Sequence, residues 1–168
     1  MKKILIFSLI ISIFSSSCIS IKYSFTGASI SADIKTINIQ YFANNAALIE
    51  PTLSPKLTEA IKDKFTSETN LNLSVQEADL YLQGEVIDYK TTPQAIQNND
   101  QAAMNRLSVT IKVEYTNTKD EKKNYQTTFE RYIDYPSSQE LDAVKDKLLD
   151  EIIELLIQDI FNKAVINW

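Results

Sequence analysis

RLSVTIKVEYT, residues 106–116, is the stretch on which the fold turns. Leu107, Val109, Ile111, Val113 and Tyr115 alternate with Ser108, Thr110, Lys112, Glu114 and Thr116. Successive side chains leave a strand on opposite faces, so one face is apolar and the other polar. The pattern predicts a strand packed on one side and wet on the other, as in an antiparallel sheet. NTKDEKKN, residues 117–124, then reads as a hairpin turn with room to move, and YQTTFERYIDY, 125–135, as the returning strand. Tyr125, Phe129 and Ile133 share a face; Arg131 shares it too, near the sheet end or folded outward.

Upstream, LYLQGEVIDY (80–89) predicts another strand, with Leu80, Leu82 and Val86 on one face and Gly84 marking a bulge or a close backbone approach. LNLSV (71–75) and KTINIQYF (35–42) are further strand candidates, and ANNAALIEP (43–51) reads as a loop. Between them, residues 53–68 carry Leu53, Leu57, Ala60, Ile61 and Phe65 on one helical stripe, with Thr52 or Ser54 as cap and Pro55 tolerated in the first turn. Downstream, Ser137 and Glu140 have capping-box spacing before a helix running to about Asn162 or further. Its apolar face holds Leu141, Val144, Leu148, Ile152, Leu155, Leu156, Ile160 and Phe161. So long a helix needs a partner on a small sheet, and the first helix supplies it. The expected fold class is α/β of the α+β kind: two helices packed on one face of a mostly antiparallel sheet of four or five strands, in a single domain over 34–168. Trp168 is expected to lock the terminus down.

The chain begins with Lys2 and Lys3, an apolar run ILIFSLIISIF (4–14) and the small residues Ser15–Ser17 before Cys18. Basic, apolar and small regions in that order make a secretory signal. The run is about half a bilayer-spanning helix. The cysteine that follows resembles a bacterial lipobox, with Ser15 where leucine is usual. The reading is a signal peptide over 1–17, lipidation of Cys18, and a lipidated segment over 18–33. A plain signal peptide with a free thiol is the alternative. Each buried acyl CH₂ contributes roughly 0.8 kcal/mol, so several chains on one cysteine anchor firmly.

Removing Lys2 and Lys3 takes the formal charge from −5 to −7, the opposite of the usual nucleic-acid binder. No histidine is present, which removes the usual general base near neutral pH and the commonest metal ligand. The single cysteine excludes an intrachain disulfide, and two glycines, Gly27 and Gly84, argue against a glycine-rich phosphate cradle. No catalytic residue, metal or cofactor is expected. Candidate contacts for an anionic ligand are Arg106, Lys112, Lys119, Lys122, Lys123 and Arg131, with the three lysines of the 117–124 turn clustered. Asp120 and Glu121 sit within that cluster, and a solvated turn is the bland reading. Tyr81, Tyr89 and Tyr132 form either an outward aromatic patch or ordinary sheet pairs.

YSFTGASI (23–30), INIQYF (37–42), PTLSPKLTEAIKDKF (51–65), NRLSVTIKVEYTNTKD (105–120) and EIIELLIQDIFNKA (151–164) together resemble the LptE-family lipopolysaccharide-assembly lipoproteins of Bacteroidetes. The resemblance implies two helices on one sheet, and a position at the inner leaflet of the outer membrane, lipid-anchored on the periplasmic side. It implies partnership with an LptD-type β-barrel translocon, help in assembling it, and a part in delivering lipopolysaccharide. Acidic export tags after the cysteine, which mark surface lipoproteins of that group, are missing, in keeping with the periplasmic side. The outward tyrosines would then face the barrel wall, and Arg106, Lys119, Lys122 and Lys123 would face lipid A phosphates. The competing reading is an independent periplasmic lipoprotein that binds an envelope lipid or glycan in a concave apolar pocket.

Overall fold

The structure, a computed structural model, describes residues 30–94 and 103–165. Cys18, the expected signal segment and Trp168 lie outside the described residues. The alternating run forms β5 (Met104–Asn117), which pairs antiparallel with β6 (Tyr125–Pro136) without a break, from Met104 opposite Pro136 to Tyr115 opposite Tyr125. On its other side β5 pairs antiparallel with β4 (Leu80–Gln94). Leu107, Val109, Ile111, Val113 and Tyr115 are all buried, as the alternation requires.

Three short strands complete a mixed, mostly antiparallel sheet of six strands. They are β1 (Thr36–Ile39), β2 (Ala43–Asn44) and β3 (Asn72–Leu73), in the order β3-β1-β4-β5-β6, with β2 also on β4. Both β1 and β2 run parallel to β4. The sixth strand, β2, falls in the expected 43–51 loop. The chain bends at Gln40–Phe42 and continues up the same edge: Gln40 N–H donates to Leu82 O (2.9 Å), and Asn45 N–H to Val86 O (2.8 Å). The bend turns Phe42 into the core, fully buried.

Gly84 explains where that ring goes. A Cβ built on Gly84 would lie 2.5 Å from Lys112 O and closer still to the Phe42 ring. The glycine therefore marks a close approach of ring to backbone, one of the two roles the sequence suggested. The bulge comes later, between Val86 and Asp88. The extra residue, Ile87, shifts every following side chain to the other face. Tyr89 thus lands opposite Val109 on the covered side and is buried, so it is not an outward tyrosine.

Helix α1 (Leu53–Glu68) buries Leu53, Leu57, Ile61 and Phe65 at four-residue spacing, close to the expected stripe. Helix α2 (Leu141–Val165) buries Leu148, Leu149, Ile152, Ile153, Leu156, Ile157, Ile160 and Phe161, whereas Leu155 points out. Each such side chain contributes about 1.5–3 kcal/mol on burial. Cross-helix bonds from Lys56 to Asp150 (2.9 Å) and from Lys64 to Gln158 (3.2 Å) share one sequence offset, so the helices run parallel, and Phe65 meets Phe161 edge-on at 5.3 Å. Both lie on one face of the sheet.

The expected caps are replaced. Thr52 makes no side-chain cap; its N–H and hydroxyl instead donate to the Glu50 carboxylate at 3.2 and 2.8 Å. Glu50 is buried at the N-terminal end of α1, where negative charge is favoured, and takes a 3.0 Å ion pair from Lys145 of α2. Burial raises the Glu50 pKa, but the bonds from Lys145 and Thr52 prevail and hold it below the ordinary carboxylate range. Ser137 lies in a turn, and α2 starts four residues after it, so the Ser137–Glu140 box does not form.

Two outcomes are expected in urea unfolding of the mature domain. Gly84→Ala should cost about 1–3 kcal/mol through overpacking, and Phe42→Ala about 3–5 kcal/mol. The double variant should lose less than the sum, since removing the ring relieves one of the two contacts the new methyl makes, the Lys112 carbonyl being the other; a loss equal to or above the sum would show that the ring adds nothing to the cost of the Gly84 substitution. Lys145→Ala should cost about 1–3 kcal/mol by leaving Glu50 unpaired, whereas Lys147→Ala, on an exposed pair, should change stability little.

Candidate functional site

Because both helices lie on one side, the other face of the sheet is uncovered among the described residues. Its side chains follow from the register in rows across β4, β5 and β6: Gln83–Glu114–Gln126, Glu85–Lys112–Thr128, Asp88–Thr110–Glu130, Lys90–Ser108–Tyr132 and Thr92–Arg106–Asp134. The face is polar and mixed in charge. Lys90 and Asp88 join it only because of the bulge; a strict two-residue count after Val86 places them on the wrong side.

Tyr81 lies on this face, half-buried, and its hydroxyl accepts the Ala78 N–H at 3.0 Å. Tyr132 also lies on it and is 48% exposed, with the Arg106 guanidinium 3.5 Å above its ring. Of the three tyrosines expected on the open face, the structure places these two there and Tyr89 in the core.

The cationic candidates do not form one cluster. Arg106 sits near the start of β5, and Lys119 follows its end, about 40 Å away along a strand of 14 residues. Arg106 holds Asp134 in a two-pronged bond at 2.7 and 2.9 Å, and this bond, opposed by burial, lowers the Asp134 pKa. Arg131 reaches Asp159 of α2 at 2.6 Å. Lys119 pairs with Asp79 at 3.3 Å. Among the described residues, Lys112, Lys122 and Lys123 make no ion pair.

The 117–124 turn is held firmly, contrary to its expected freedom. The Asn117 side chain accepts the N–H groups of Lys119 and Asp120, both at 2.9 Å, and Asn124 accepts the Asn117 N–H at 2.7 Å. Asp120 accepts the Lys122 N–H at 3.2 Å at the head of a short 3-10 turn, Glu121–Lys123. Lys122, exposed, and Lys123, half-buried, are thereby carried on an ordered support.

Beside the turn, Asp79 takes the N–H groups of Lys35 (2.8 Å) and Thr36 (3.1 Å) and the Thr36 hydroxyl (3.1 Å). The Lys35 bond comes first among the causes that bring its carboxyl down to about 2. Among the described residues a cavity of about 680 Å³ is a groove between the helices with charged walls rather than an enclosed apolar pocket. No helix there is long and apolar enough to cross a membrane.

Residues 34–164 match the family described as LptE, lipopolysaccharide-assembly, and the chain belongs to that family. Accordingly it is an outer-membrane lipoprotein facing the periplasm, an assembly factor and not an enzyme. Solved structures agree on the fold. A minor lipoprotein from Acinetobacter baumannii is 16% identical, with a TM-score of 0.51 over 78% of this chain and 94% of that one. A hypothetical protein from Chlamydia trachomatis is 12% identical, with a TM-score of 0.53 over 80% and 99%. None of the curated proteins matches the sequence.

A carboxyl held low in the folded state stabilises the fold above its unfolded pKa, and that stability fades as pH falls through the folded value. Asp79→Asn should therefore lower the urea midpoint at neutral pH, and the gap to wild type should close between about pH 4 and pH 2. A gap that stays constant over that range would show that the Asp79 charge does not bind the β1 start to the β3–β4 loop.

Proposed function

We propose that this protein is the lipoprotein subunit of a lipopolysaccharide transport complex, that it partners an LptD-type β-barrel and helps assemble it, and that Cys18 carries the lipid that holds it at the membrane. The observation that carries the reading is the one-sided sheet. Among the described residues, β4, β5 and β6 present a polar face with Tyr81 and Tyr132 on it and no helix across it. Aromatic rings among mixed polar groups suit a wet protein interface, where a stiff ring covers area at low entropy cost. Within this reading the contact with lipopolysaccharide phosphates narrows to Lys122 and Lys123, because Arg106 and Lys119 already hold Asp134 and Asp79.

The test is a pull-down of the tagged, acylated protein from membranes in mild detergent, with partners identified by mass spectrometry. A large outer-membrane barrel in roughly one-to-one amount is the expected result. Acylated protein recovered intact without any barrel would overturn the assembly reading.

A further inference from the structure

The other side of the molecule carries a second surface. Helices α1 and α2 meet over a groove of about 680 Å³ with Ala60, Ile153 and Ile157 in its lining. The two cross-helix bonds, Lys56–Asp150 and Lys64–Gln158, bracket it about 12 Å apart, two turns of helix. Between these brackets, Asp63 lines the groove from α1 and Glu154 from α2. Both are exposed, and among the described residues neither has an ion pair. The two lysines of the groove are already engaged, Lys56 by Asp146 and Asp150, Lys64 by Glu68. Ile153 and Ile157 are core residues that show only an edge, 4% and 8% exposed, so the groove combines a narrow apolar floor with an uncompensated negative charge on each wall.

We propose that this groove docks a cationic amphipathic segment of a partner protein, an arginine or lysine of which lays its aliphatic stem on Ala60, Ile153 and Ile157 and pairs its head with Asp63 and Glu154. Long basic side chains suit such a site, because the stem is apolar and the charge sits at its end. An amphipathic helix set along two parallel helices adds its own apolar side chains to the same lining. The inference rests on the assembly reading only in expecting a protein partner.

The experiment measures binding of a fluorescein-labelled amphipathic helix of about four turns, built from leucine, alanine and arginine, to the full mature chain by anisotropy. The paired substitutions Asp63→Asn and Glu154→Gln should weaken binding about tenfold. The control pair Glu77→Gln and Glu140→Gln removes the same charge elsewhere on the surface and should change binding less than about twofold. Both groove positions are exposed, so the fold is retained, and circular dichroism checks this. No binding by the wild-type chain, no effect of the groove pair, or an equal effect of both pairs would overturn the proposal. Peptide binding without barrel recovery in the pull-down would leave the groove standing and sink the assembly reading; barrel recovery without peptide binding would do the reverse.

Discussion

The Phe42 ring lies against β4 at the one place where β4 has no Cβ, and three elements depend on that contact. The Phe42 N–H donates to the Thr58 hydroxyl of α1 at 3.1 Å, and that hydroxyl donates to Ser54 O at 2.8 Å. One residue thus ties the bend between β1 and β2 to the first helix and presses both onto Gly84. The bonds are buried, so a polar group left without its partner there carries a desolvation cost of about 1–3 kcal/mol. The bend also lets β1 and β2 share the edge of β4 in sequence, which makes a short segment serve a long strand.

With both helices drawn to the Phe42 side, the sheet is two-faced by construction. Apolar area is concentrated under α1 and α2, and polar side chains fill the rows on the opposite side. A face of this kind is soluble in isolation because its charges are interspersed, and it offers wet, adaptable contact to a partner. The helix side is different in character: many of its exposed residues are charged, with a narrow apolar floor where the helices meet and the exposed Leu155 outside it. The two surfaces therefore suit partners of different chemistry.

Much of this was legible in the sequence because burial on one face imposes a period. Residues 106–116 alternate without a fault, and the helix 53–68 repeats at four, so strand, helix and covered face follow from spacing alone. The six-stranded mixed sheet was less legible, since β2 and β3 are two residues each and carry no period. Tyr89 was misplaced for a specific reason: the Val86–Asp88 bulge reverses parity, and nothing in VID distinguishes it from a regular stretch. That Arg106 and Lys119 are engaged by Asp134 and Asp79 was not legible, because the pairs depend on which side chains the register and the loops bring opposite. The ordered turn escaped notice because its order comes from Asn117 and Asn124 bonding back to backbone groups, which composition alone reads as polarity.

The account stands on the open face being the surface that meets the barrel. The most direct measurement places a photo-crosslinking amino acid at Thr110, mid-length on β5, and, separately, at Thr128 on the edge strand β6, both on that face, in the acylated protein expressed in its own membrane. The account predicts an adduct with a large outer-membrane β-barrel from both positions. Full expression and acylation with no barrel adduct at either position would contradict it.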